Sequence, residues 1–316
     1  MSPRKQKPAI VITGIRGRLA RQLARRLTQL GERVIGIDSR PFRTPPDDIE
    51  VHTLDIRRRQ AEDIFRTNDI SAVVHMGIVH SRRNTSTIGH HFNVVGTQSL
   101  LDYCHRRDVP KVVVLSSANI YGPRPGNAQY LDEDTPLLAG ETFHDMRDLI
   151  AVDMHAQSYF WKHPEIETVV LRPVHIVGTV QNAPSNYLAM PTVPTIMGFD
   201  PMIQIIHEQD VVTGIVRALK PGIRGVFNLV GPGAVPLSSL IAAAGGRRLP
   251  IPNLPFRLGT SLLYRLRLTE FPSPELDHIR YVCMVDGRHA REVLEFEPEH
   301  GVRETLEHLK TVRGGD

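Results

Sequence analysis

The chain has 316 residues, 41% of them hydrophobic and 23% charged, an ordinary composition for a globular protein long enough to bury a sizeable core. Arginine accounts for 32 of its 38 Lys and Arg residues, and 34 acidic residues leave a net charge of only +4, too small a surplus to argue for nucleic acid or an anionic membrane as a partner. The two cysteines, Cys104 and Cys283, lie far apart with no metal or redox spacing, so neither a disulfide framework nor a zinc cluster is expected, and no metal.

The stretch Met1 to Pro8 is basic, with no apolar run behind it, so residues 1–7 are expected to be a short tail and not a secretory signal. No run of 18 apolar residues occurs, so no membrane span is expected and the chain reads as cytoplasmic. Ala9 to Thr13 is a short β-branched strand. Arg18 to Leu30 follows as a helix, with Leu19, Leu23, Leu27 and Leu30 on one face. Arg33 to Asp38, Ser71 to Met76, Lys111 to Ser116 and Thr168 to Arg172 read as further strands, separated by helical stretches. Alternating strands and helices predict an α/β fold with a Rossmann-type, doubly wound parallel sheet over residues 8–178. Beyond Pro173 the chain becomes rich in Pro and Gly, and 179–316 reads as a smaller C-terminal substrate lobe with elements returning to the main sheet. Within it, Asp210 to Leu219 is expected as a helix capped by Asp210, Val226 to Val230 as a strand and Arg288 to Phe296 as a late helix.

The strongest motif is Thr13-Gly14-Ile15-Arg16-Gly17-Arg18-Leu19-Ala20, which leaves a strand and opens a helix. In that setting Gly14 permits a tight turn, Gly17 lets backbone approach a pyrophosphate, and the helix N-terminus offers free N–H groups. Arg16, inside the loop, can reach a diphosphate. Asp38 lies 24 residues after Gly14 at the end of the next strand, where a carboxylate accepts the ribose hydroxyls of NAD and repels the 2′-phosphate of NADP. Arg40 and Arg43 close by leave NADP open.

With these motifs the sequence resembles the extended short-chain dehydrogenase/reductase family, and within it the NAD-dependent epimerase/dehydratase group that includes nucleotide-sugar epimerases. The resemblance covers roughly residues 8 to 312 and runs through several further stretches. Asp55-Ile56 matches the family's pair beside the adenine, and His75-Met76-Gly77-Ile78 its fourth-strand motif. Asn93-Val94-Val95-Gly96-Thr97 matches a helix start, and Ser116-Ser117-Ala118-Asn119-Ile120-Tyr121-Gly122 the Ser-Ser-x-x-x-Tyr-Gly stretch. Leu171-Arg172-Pro173, His207-Glu208-Gln209-Asp210 and Phe227-Asn228-Leu229 match later, looser motifs. The resemblance implies a cofactor site drawing on Gly14, Arg16, Gly17, Asp38, Asp55, Ile56, Met76, Gly77, Asn93 and Ser116. It also implies a small-molecule substrate of the nucleotide-sugar type, and a homodimer.

The departure lies at the reaction centre. The family uses a Tyr, a Lys four residues later, and a neighbouring Ser or Thr. Ser117 fits the Ser. Residues 131–158 hold no Tyr, and residues 112–161 hold no Lys. Tyr159 and Lys162 are three apart, not four. Counting back from Leu171-Arg172-Pro173 puts Asp145 in the Tyr position and Leu149 in the Lys position, and another register pairs Phe143 with Arg147. Ser117, His144 and Asp145 are therefore the catalytic candidates, with His80, His175 and Tyr121 as other groups near the site. Asp145 and Asp148 form a carboxylate pair at a helix start. Two readings stay open: an epimerase or oxidoreductase with a relocated base, and a non-catalytic NAD-binding regulator or sensor.

The arginines Arg18, Arg21 and Arg25 share the helix face opposite the leucines and read as solvated. Candidate substrate contacts are His80, Arg82, Arg83, Asn182, Asn186, Gln204 and Arg280.

Overall fold

The valine- and isoleucine-rich segments form strands because their branched side chains pack on a sheet covered on both faces. The computed structural model describes residues 7–42, 48–78, 87–142, 146–180, 191–252 and 281–314. In chain order the first half runs β1 (Ala9–Thr13), α1 (Arg18–Gln29), β2 (Arg33–Asp38), β3 (Glu50–Thr53), α2 (Arg59–Thr67), β4 (Ile70–His75), α3 (Thr87–His90), a π-helical turn (His91–Val95), α4 (Gly96–Arg106) and β5 (Lys111–Leu115). A 3₁₀ turn (Ala118–Tyr121), α5 (Ala139–Thr142), α6 (Met146–Lys162), β6 (Glu167–Pro173) and β7 (His175–Val177) follow. The remainder comprises β8 (Thr192–Ile196), β9 (Met202–His207), α7 (Glu208–Ala218), β10 (Gly225–Leu229), β11 (Ala234–Pro236), α8 (Leu237–Ala243), β12 (Arg247–Ile251), α9 (Arg288–Leu294) and α10 (Val302–Gly314).

Among the described residues the main sheet has seven strands in the order β10-β6-β5-β4-β1-β2-β3, all paired in parallel. The winding reverses at β1, between β4 and β2. In an open α/β sheet, the crevice at the carboxyl ends of the strands beside such a reversal is where ligands bind. Alternate side chains enter two separate cores. Ile10, Ile12 and Val34 pack with Leu19, Leu23 and Leu27 of α1 and with Val211 and Ile215 of α7. Val11, Ile35 and Ile37 pack on the opposite face with Ile64 of α2, Leu100 of α4 and Val152 of α6. A third core joins Val193 and Ile196 of β8, Ile205 of β9 and Leu237, Leu240 and Ile241 of α8. It lies under a small sheet, β11-β9-β7, and the pair β12-β8.

The expected helix after residue 207 begins earlier than its spacing predicts. Its N-cap is His207, whose ring accepts from the Gln209 N–H. Asp210 is turned away from the helix start and accepts from the N–H groups of Glu299 and His300. Strand β3 at the sheet edge is short and half exposed, so it lacks the apolar run that announces the inner strands. No helix among the described residues is long and apolar enough to cross a membrane.

Candidate dinucleotide and substrate site

The chain leaves β1 through Gly14, whose φ is +73°, and its N–H donates to Ile37 O on β2. A Cβ at Gly14 would lie 2.7 Å from Gly77 Cα and 2.8 Å from Met76 O, so the loop presses directly on the end of β4. Gly17 closes the turn by donating to Gly14 O at 2.9 Å. It is the N-cap of α1; no side chain among the described residues caps the helix, and its first turn holds no acidic residue. The first N–H groups of α1 therefore keep their donor capacity and dipole for an anion from outside the protein.

Asp38 ends β2 and is buried. Its Oδ2 accepts from Arg16 N–H at 3.2 Å, and its Oδ1 from Arg40 N–H at 3.0 Å. The loop thus positions the carboxylate with backbone donors, while the Arg40 side chain approaches the same oxygen at 3.4 Å. One strand out, Leu54 N–H donates to Asp38 O, which brings Asp55 alongside. Asp55 is clamped by Arg57 through Nε and Nη2 at 2.5–3.1 Å, and this ion pair holds its carboxyl below the ordinary carboxylate range. The expected adenine contact at Asp55 therefore meets a carboxylate already engaged by its own neighbour. Ile56 is buried in the core beneath it.

Met76 and Gly77 donate their N–H groups to Thr13 Oγ1, each at 3.2 Å. The same oxygen lies 2.7 Å from His75 Nδ1, and His75 Nε2 lies 2.9 Å from Thr97 Oγ1. Because the Thr97 hydroxyl donates to Asn93 O at 2.6 Å, it must accept from His75 Nε2–H. Nδ1 then accepts from Thr13, so the network assigns the neutral Nε2–H tautomer. Burial pushes the His75 pKa down to about 4. Sequence reasoning placed His75 in a motif but missed this bracing role, since Thr13 and Thr97 lie on other elements. Asn93 is buried in the π-helical turn, so the loop, the end of β4 and the start of α4 form one bonded unit.

Ser116 and Ser117 follow β5. Ser116 N–H donates to Leu171 O of β6 at 2.8 Å, and its Oγ is buried with no hydrogen-bond partner among the described residues. Ser117 Oγ accepts from Asn119 N–H at 3.2 Å and caps the 3₁₀ turn. Just beyond β6, where β7 begins, His175 Nδ1 is likewise buried without a partner among the described residues, and burial pushes its pKa down to about 4. Buried polar atoms are normally satisfied. Ser116 follows the carboxyl end of β5 and His175 follows that of β6, while two further buried atoms without a partner among the described residues, Tyr159 Oη and Thr195 Oγ1, lie elsewhere.

Catalytic candidates His144 and Asp145 lie outside the described residues, as do Phe143, Arg43, His80, Arg82, Arg83, Asn182, Asn186 and Arg280. Leu149 is buried in α6. Asp148 is bound to His90 Nδ1 at 2.7 Å, so it is half of a His–carboxylate contact. Gln204 is not a substrate contact: it is buried, and its amide both donates to Val285 O and accepts from Val285 N–H. Tyr121 is also structural. Its hydroxyl donates to Asn228 Oδ1 at 2.9 Å and accepts from Arg172 at 2.7 Å, and burial raises its pKa to about 12.

Comparison with known proteins agrees with this geometry. An uncharacterized protein of Mycobacterium bovis is 28% identical over 324 residues, spanning 99% of this chain and 86% of the relative. The fold is similar to that of a Thermus thermophilus UDP-glucose 4-epimerase solved with NAD, with a TM-score of 0.75 and 16% identity, over 97% of this chain and 99% of that one. A Thermotoga maritima UDP-glucose 4-epimerase solved with UDP-glucose gives a TM-score of 0.74 at 16% identity, over the same shares. The sequence profile that matches residues 10–229 is that of the NAD-dependent epimerase/dehydratase family, and the chain belongs to that family.

Proposed function

We propose that the chain binds NAD at the carboxyl edge of the main sheet and takes a nucleotide-sugar-type substrate in front of β5 to β7, with a reaction centre that lacks the family's Tyr–Lys pair. In this reading residues 8–178 carry the dinucleotide and residues 179–316 the substrate. The observation that carries it is the uncapped N-terminus of α1, framed by Gly14 and Gly17 and facing the buried Asp38. The glycine cradle and the orphaned Ser116 Oγ fit a dinucleotide. Asp38 favours NAD, because a 2′-phosphate would face a carboxylate.

Bound NAD supplies a hydride acceptor and donor, and the remaining work falls to the chain. The α1 N–H groups neutralise and orient the pyrophosphate. Ser117 accepts one hydrogen bond from Asn119, which leaves its own proton free to donate to a substrate oxygen. Leu149 provides no cation to lower a neighbouring pKa or to hold a ribose, so any proton transfer rests on groups other than the family pair.

That buried leucine favours a second reading, in which the chain binds NAD and does not turn over. The NAD-loaded protein is mixed with UDP-glucose and related nucleotide sugars, and reduced nicotinamide absorbance and isomerised product are followed. Turnover that falls in Ser117→Ala at unchanged NAD affinity supports the enzyme reading. Tight NAD binding with no turnover on any sugar supports the regulator. Turnover unchanged in Ser117→Ala contradicts the role given to that residue.

A further inference from the structure

At the opposite edge of the sheet, where α4 runs into β5 and α6 into β6, three side chains converge that the dinucleotide site does not use. We propose that His105, His163 and Glu165 form a binding site for a divalent transition-metal ion of the zinc type. One ligand atom from each lies within 4.8 Å of the others. Both imidazole Nδ1 atoms approach the same oxygen, Glu165 Oε1, at 3.5 Å from His105 and 3.3 Å from His163. These separations are long for a charge-assisted hydrogen bond. They match the edge of a tetrahedron, because ligands about 2.1 Å from a central zinc lie about 3.4 Å from one another. The two rings sit 4.0 Å apart with their planes 41° from parallel.

The arrangement is built by the backbone. Residues His163 to Ile166 form a tight turn closed by Ile166 N–H to His163 O at 3.1 Å. Pro164 occupies its second position, where a fixed φ suits a turn. Arg224 donates to Pro164 O at 3.2 Å from outside. His163 is anchored through its N–H to Tyr159 O at 2.9 Å, and its ring rests 4.6 Å from the Tyr159 ring. His105 stands in the last turn of α4, and His163 directly follows α6. Two helix C-termini therefore turn their carbonyl ends toward the cluster, which favours a cation. The adjacent guanidiniums of Arg106 and Arg107 are held by Glu62, at 3.4 and 3.1 Å, and leave Glu165 to the histidines. Two imidazoles and one carboxylate suit zinc, with water in the fourth position. The bound ion would pin the C-terminal ends of α4 and α6 together, remote from the phosphate loop.

The test uses untagged, metal-stripped full-length chain titrated with zinc chloride by calorimetry, beside His105→Ala and Glu165→Gln. His105 and Glu165 are exposed, so these variants keep the fold, which circular dichroism verifies. The expected result is one saturable site per chain and a raised Tm, with affinity lowered at least about tenfold in each variant. Absence of saturable binding overturns the proposal. Equal binding by wild type and variants also overturns it, since the ion would then sit elsewhere, for instance near His207, His300 and His308.

Discussion

Thr13 carries more of the site than its place at the end of a strand announces. Its hydroxyl receives two N–H groups from β4's end and donates to His75, so the chain must stay close-packed where β1 turns into the loop. Gly14→Ala would force a non-glycine residue to a φ of +73° with its Cβ against Gly77 Cα. The left-handed backbone alone costs roughly 1–3 kcal/mol, and the clash moves the loop. Urea denaturation should show that loss together with abolished dinucleotide binding. His75 adds a pH dependence. Its folded pKa of about 4 lies below the model-peptide value of 6.5, so the unfolded chain binds the extra proton. The stability it contributes is complete above about pH 6.5 and is lost as pH falls toward 4, at up to about 1.4 kcal/mol per pH unit. His207, also pushed down to about 4, chiefly by burial, adds to the slope. Denaturant midpoints measured from pH 7 to pH 4.5 should fall, and His75→Gln should flatten the decline.

Among the elements, β6 and α6 are locked by a buried pair. Arg172 meets both oxygens of Asp153, at 3.0 and 2.7 Å, and also reaches Tyr121 and the Glu133 carbonyl. Removing one partner of such a pair leaves an unpaired buried charge, so Asp153→Ala should cost about 3–5 kcal/mol in urea unfolding. Helix α6 also places buried Leu149 one turn before Asp153, so the position counted as the family's Lys faces the core. The sequence was most legible where the physics is local. β1, α1 and β2 announce themselves by β-branched runs, leucine spacing and two glycines, and the loop with Asp38 follows from their order. The bracing of His75 by Thr13 and Thr97 and the orphaning of Ser116 and His175 depend on strands meeting across the sheet, which no local spacing encodes. The cap of α7 misled for a similar reason. Asp210 has a capping side chain, but it is drawn to the N–H groups of Glu299 and His300, 89 and 90 residues away.

For the molecule as a whole, the link between the phosphate-loop helix and the smaller core runs through Glu208. This buried carboxylate accepts from Gln22 of α1 at 2.8 Å and from Thr179 and Val180 after β7, at 3.0 and 3.1 Å. Gly178 is required beside it, since at φ +148° a Cβ would lie 2.4 Å from Glu208 Cδ. Arg18 also spans this junction, donating to Thr179 O at 2.5 Å. The loop, α1 and the entrance to the second core are thus bonded to one another, and dinucleotide binding should stabilise the whole chain. A ligand at 100 times its Kd raises folding stability by about 2.7 kcal/mol, which thermal unfolding with and without NAD can read. The most direct measurement is calorimetric titration of cofactor-stripped protein with NAD and with NADP, repeated on Asp38→Asn. Saturable binding of NAD, tighter than NADP, with the preference reduced in the variant, is the predicted result. Binding of neither dinucleotide by the folded protein would contradict the assignment of the loop, Asp38 and the α1 terminus as a cofactor site.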